Sequence, residues 1–87
     1  MSTKIKQELP KWFKGQVYEE GAVVQNPFSG EECKLNNIEL SMYDFIVGAQ
    51  MCFDMGMPLD DKILKEFHKG LRWFSKNNID AYMKLLD

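Results

Sequence analysis

Five cations, Lys62, Lys65, Lys69, Arg72 and Lys76, recur at spacings of 3, 4, 3 and 4, which places them on one face of a helix. The chemistry such a stripe can do is phosphate neutralisation, with the steep salt dependence of counterion release. No aromatic interleaves the stripe on its outward side in the manner of single-strand binders, and the net charge is -2. A solvated face, or one that meets the acidic middle of the chain, therefore ranks ahead of nucleic-acid binding. His68 is the only histidine. Without a second His or a Cys at ligand spacing it makes no zinc site and reads as a boundary residue, half packed and half solvated. The paired acids Glu19-Glu20 and Glu31-Glu32 point to opposite faces of a strand, and Asp60-Asp61 suits a helix N-terminus, so none reads as a metal site. Ser29 and Ser41 have no base or acid at motif spacing, and the six glycines are scattered, so neither a nucleophilic triad nor a phosphate loop is present. No catalytic, cofactor-binding or metal-ligating residue is assigned, and no enzyme is expected. The remaining chemistry is that of thioethers: Met42, Met51, Met55 and Met57 fill cores in most proteins and make adaptable contact surfaces in some. Met51, Met55 and Met57, crowded at a helix end, are the candidate self-association surface.

The elements that position these groups follow from periodicity. Ile63, Leu64, Phe67, Leu71 and Phe74 share the period of the cations on the opposite side, which predicts an amphipathic helix opening at Asp60-Asp61 and broken by Asn77-Asn78. Before it, Asn36 with Glu39 three residues later forms a capping-box pattern. The helix it opens reaches about Met55 and is closed by Gly56-Met57-Pro58. Ile38, Met42, Phe45, Ala49 and Cys52 make one apolar stripe, and Leu40, Val47, Met51 and Met55 a second. Only Ser41, Asp44 and Gly48 look polar, so this helix is expected to be central or shared with a partner. Residues 16–25 and 31–35 carry strand character around the turn Asn26-Pro27-Phe28-Ser29-Gly30, which predicts a hairpin over about 22–35. A last short helix from Ile79 to Leu86 presents Ile79, Tyr82, Met83 and Leu86. At the other end, Ile5, Leu9, Trp12 and Phe13 share a helical spacing that Pro10 interrupts, so residues 1–15 read as an arm or short helix with a Trp-Phe anchor.

Bulk properties bound the remainder. With 87 residues the chain is one domain, here residues 16–87, and a chain this size buries only about 60–65% of its unfolded surface. Yet 45% of its residues are hydrophobic and 13% aromatic, which argues for a folded globule with apolar surface to spare. Charge is segregated: residues 1–15 carry +3, residues 16–61 carry -8 and residues 62–87 carry +3. Cys33 and Cys52 are too few for a disulfide framework, and Cys52 reads as a small hydrophobe. The polar start Met1-Ser2-Thr3-Lys4-Ile5-Lys6 predicts no signal peptide, and no apolar run approaches the roughly 20 residues of a membrane span. A reducing, cytoplasm-like compartment is expected.

The run Asn26-Pro27-Phe28-Ser29-Gly30-Glu31 and the following Leu40-Ser41-Met42-Tyr43-Asp44-Phe45-Ile46 resemble a small family from tailed phages of marine bacteria and cyanobacteria. Gly70-Leu71-Arg72-Trp73-Phe74 and Tyr82-Met83-Lys84-Leu85-Leu86-Asp87 resemble it too. The resemblance covers about residues 16–87 and leaves the arm outside. It implies a setting, a phage protein in the cytoplasm of its host, and no catalytic or binding residues, because the family has no assigned activity.

The sequence thus predicts a mostly helical α+β domain: a β-hairpin packed on two main helices, with a short C-terminal helix and an N-terminal arm. The expected core is Val24, Phe28, Leu35, Ile38, Met42, Phe45, Ile46, Ala49, Phe53, Ile63, Phe67, Leu71, Phe74, Tyr82 and Leu86. The expected function is non-enzymatic, through contact with itself or with another phage or host protein. The alternative is nucleic-acid binding through Lys62, Lys65, Lys69, Arg72 and Lys76, helped by Lys4, Lys6, Lys11 and Lys14. No cofactor and no membrane partner is expected.

Overall fold

A computed structural model of the chain describes residues 7–58 and 60–86. Lys4, Ile5 and Lys6 of the arm, and the terminal Asp87, lie outside the described residues. Strands β1 (Ala22–Gln25) and β2 (Glu32–Leu35) form an antiparallel hairpin with Ala22 opposite Leu35 and Gln25 opposite Glu32. Helices α1 (Asn37–Asp54), α2 (Asp61–Asn77) and α3 (Ile79–Leu85) follow. The fold is mostly helical α+β, with the hairpin and α3 packed on the α1–α2 pair.

Each boundary has a local cause. The Asn36 side chain accepts from the Glu39 amide at 2.8 Å, and the Glu39 carboxylate accepts from the Asn36 amide at 3.1 Å, which closes the capping box that starts α1. Its end is a Schellman motif: the Met57 amide donates to the Cys52 carbonyl and the Gly56 amide to the Phe53 carbonyl, both at 3.0 Å. Gly56 takes the required left-handed conformation at φ 75°. Asp60 caps α2 by accepting from the Ile63 amide at 2.8 Å. Asn78 ends α2 by donating its amide to the Phe74 carbonyl and starts α3 by accepting from the Ala81 amide. At the hairpin tip the Asn26 carboxamide oxygen accepts from the Phe28 and Ser29 amides, while its nitrogen donates to the Lys84 carbonyl at 2.8 Å. That single side chain shapes the turn and ties it to the end of α3.

The core consists of Leu35, Met42, Ile46, Ala49, Phe67, Phe74, Ala81 and Leu85. Helices α1 and α2 meet where Gly70 leaves room: a methyl group there would stand 3.2 Å from Met42 Sδ and 3.3 Å from Ile46 Cγ1. Several expectations are corrected. Phe28 is 97% exposed rather than buried, because the Asx turn aims residue 28 away from the sheet, and Phe53 stays 39% exposed although its ring meets Phe67 of α2 edgewise at 5.6 Å. In α3 the buried residues are Ala81 and Leu85, while Ile79 and Met83 face outward. Ser41, read as polar surface, is fully buried: its hydroxyl donates to the Asn37 carbonyl and accepts from the Tyr18 amide. The strand character of residues 16–21 is not used; β1 begins at Ala22.

The described part of the arm contains no helix. Pro10 opens a turn, with the Phe13 amide donating to the Pro10 carbonyl at 3.0 Å, and Leu9, Trp12 and Phe13 pack against the core. Trp12 and Phe13 meet Phe45 of α1 at ring centroid distances of 5.9 and 5.8 Å. The arm is also fastened by polar groups: Gln7 donates to Glu39 at 2.9 Å and Trp73 Nε1 donates to the Glu8 carbonyl at 3.1 Å.

Candidate functional site

Two surfaces stand out, one cationic and one apolar. On α2 all five stripe residues, Lys62, Lys65, Lys69, Arg72 and Lys76, are exposed, and Lys11 and Lys14 of the arm are exposed as well. Among the described residues no ion pair engages any of the five, so the acidic middle of the chain does not neutralise this face. Glu66 of the same helix is buried.

The arm changes the character of this face. Pro10 and Trp12 from the arm, with Lys69, Arg72, Trp73 and Lys76 from α2, line a surface cleft of about 200 Å³. The expectation that no aromatic accompanies the stripe is therefore corrected. Trp73 stands four residues after Lys69 and three before Lys76, so it borders the stripe on the helix surface. That part was readable from spacing. Trp12 was not, because it arrives through a contact across most of the chain, held by the hydrogen bond from Trp73 to Glu8 and by the rings of Phe13 and Phe45.

The apolar surface is a groove of about 690 Å³ between α1, α2, α3 and the hairpin turn. Tyr43, Val47 and Met51 of α1, Leu71 of α2 and Leu86 beyond α3 line it, with Phe28 at its rim. Burial pushes the Tyr43 phenol above its ordinary value of 10.0. Met51, Met55 and Met57 are all exposed, at 57, 71 and 49%. Met51 lies in the groove, while the Schellman motif carries Met55 and Met57 past its end. The structure thus gathers the three methionines at one end of the molecule, and adds Phe28, which sequence reasoning assigned to the core.

The groups with catalytic potential do not converge. His68 is exposed and its ring meets that of the neighbouring Phe67 edgewise at 5.6 Å, so its expected half-packed position is corrected: α2 turns it toward solvent. Glu19, Glu20, Glu31 and Glu32 are exposed, and Asp60 serves as a cap. Cys33 and Cys52 are half-buried free thiols. Among the described residues no three His, Cys, Asp or Glu side chains are grouped to hold a metal ion, and no helix is long and apolar enough to cross a membrane. Tyr18, beside Asp44, has its phenol raised above 10.0, chiefly by desolvation and further by the Asp44 charge and hydrogen bond.

No family model, curated protein or solved structure matches the chain.

Proposed function

We propose that this chain is a small non-enzymatic interaction protein, a phage accessory factor of the host cytoplasm, acting by self-association or by contact with a phage or host protein. The observation that carries this reading is the set of exposed large apolar side chains, Phe28, Met51, Met55 and Met57, in and beside a largely apolar groove. Soluble monomers seldom leave such a surface open. Thioethers suit a surface that packs against another protein, since they adapt their shape at little cost, and the exposed Phe28 ring adds apolar area beside them. The phage setting is supported by the resemblance in the turn and in α1. The test is mass in solution by light scattering from low to high micromolar concentration. A dimer of the 10.2 kDa chain that ignores added oligonucleotide supports the reading, and a strictly monomeric mass removes self-association.

A second reading, nucleic-acid binding, is favoured by one specific observation: five exposed cations in a row with no ion-pair partner among the described residues. Its signature is an affinity that falls steeply with salt, which protein contact through an apolar face does not share.

A further inference from the structure

Both tryptophans of the chain, far apart in sequence, line the same cleft, and the cleft is edged by three of the five stripe cations. We infer that this cleft is a stacking site for a base of single-stranded nucleic acid, with the α2 stripe as the track for its phosphates. The inference rests on the nucleic-acid reading and adds to it the class of strand and the residues that select it.

A positive stripe alone does not discriminate between duplex and single strand, because both present phosphates. A stacking platform does. In a duplex the base faces are already occupied by neighbouring pairs, whereas a single strand can lay a base against an aromatic ring beside a cationic edge. The cleft has the parts this needs. Trp73 Nε1 already donates to the Glu8 carbonyl, so the ring is oriented by the arm and its donor is engaged, while the residue lines the cleft. Trp12 is held in place by ring contacts with Phe13 and Phe45 at centroid distances of 6.4 and 5.9 Å. The guanidinium of Arg72, planar and weakly hydrated, suits stacking as well as phosphate contact. Among the described residues no acidic side chain lines the cleft. From Lys62 to Lys76 the stripe runs for about 21 Å of helix axis at 1.5 Å per residue, and Lys11 and Lys14 add positive charge from the arm.

The two tryptophans make their own reporter. A mixed-sequence single-stranded oligonucleotide, the matching duplex and an acidic peptide of equal charge would each be titrated into the whole chain. Intrinsic fluorescence and the anisotropy of a labelled strand would be followed together. The expected result is quenching by the single strand, at least tenfold weaker binding of the duplex and no quenching by the peptide. Single-strand affinity should fall roughly 100-fold between about 50 and 200 mM salt if five phosphates are neutralised. Trp12→Leu should weaken single-strand binding roughly tenfold. The triple variant K69Q/R72Q/K76Q, confined to exposed side chains, should lower the salt slope by about 2 and keeps the test valid if the tryptophan variant does not fold. Salt-sensitive binding with equal affinity for both strand forms and unchanged tryptophan emission overturns the stacking site while leaving the cationic stripe as a phosphate surface. Quenching by the acidic peptide equal to that by the oligonucleotide overturns it as well, since the cleft would then be a site for anions in general. No binding in either readout at low salt overturns both the cleft and the nucleic-acid reading beneath it.

Discussion

Glu39 is where distant parts of the chain are joined. It is buried at 6% exposure, and its carboxylate accepts from the Asn36 amide at 3.1 Å, from Gln7 at 2.9 Å and from Asn78 at 3.1 Å. One residue therefore holds the arm, the start of α1 and the α2–α3 junction. Replacing it with Ala removes an acceptor from three donors, of which Gln7 keeps a longer bond to the Asn77 carbonyl and the exposed Asn36 amide can turn to water, and each such loss costs about 1 kcal/mol. Glu39→Ala should lower stability by about 2–3 kcal/mol in a urea titration with an unchanged slope, and an effect under about 0.5 kcal/mol would show that water replaces the lost acceptor. Only one of these three contacts was legible. The pairing with Asn36 is local and has a pattern, while Gln7 and Asn78 reach Glu39 across long stretches of chain whose meeting no spacing encodes. A second residue-scale prediction concerns alkaline pH. The Tyr43 phenol is raised by burial, and that of Tyr18 by desolvation and then by Asp44. A group whose folded pKa lies above its unfolded value stabilises the fold below the unfolded value and loses that contribution as pH rises through the folded one. Stability should therefore be flat toward pH 10.0 and decline above it, and absorbance titration should show phenols ionising late. Asp44→Asn should bring the Tyr18 titration down only part of the way, because desolvation is the larger cause.

At the scale of elements, the capping residues and the hairpin were legible because each is specified within a few residues. Asn36, Asp60, Gly56 and the 26–31 turn all stand where local chemistry requires them. The extent of helix α3 was legible as well, but its buried face was not, and its length explains why. Seven residues complete barely two turns, so large apolar side chains at Ile79 and Met83 outweigh Ala81 in any periodicity reading, although close approach to the core selects the small residue. The same opposition of local propensity and close approach separates two glycines. Gly48 lies mid-helix in α1 with nothing within 4 Å of where a methyl would stand, whereas Gly70 faces Met42 and Ile46 at 3.2 and 3.3 Å. Gly48→Ala should stabilise the protein by about 0.5–1 kcal/mol through reduced backbone entropy of the unfolded chain. Gly70→Ala gains the same propensity but must push Met42 and Ile46 apart, at a cost of about 1–3 kcal/mol, so it should come out neutral to destabilising. Thermal melts of the two variants decide the matter: equal stabilisation would mean that the α1–α2 contact is looser than its distances indicate.

At the scale of the molecule, two surfaces of opposite character occupy different regions of one small domain, and their consequences separate by concentration and by salt. The apolar surplus read from composition appears as Phe28, Met51, Met55 and Met57 on the outside, because a chain of 87 residues has too little volume to enclose 45% hydrophobic residues. Which residues would be left outside was legible for the methionines, crowded at the end of α1, and not for Phe28, whose direction depends on the Asx turn. If the apolar surface joins two copies, association binds the folded state alone, and the melting temperature must rise with protein concentration by mass action. The variant M51K/M55K/M57K tests this with little risk to the fold, since all three side chains are exposed and substitutions at such sites usually change monomer stability by no more than about 0.5 kcal/mol. Three added positive charges on each copy would both remove apolar contact and repel the partner. The expected outcome is a monomeric mass at all concentrations and a melting temperature that no longer depends on concentration, in contrast to the parent chain. A parent chain whose melting temperature is already independent of concentration would leave this surface to a different protein partner, and a triple variant that still dimerises would move the contact to the groove around Phe28 and Leu86.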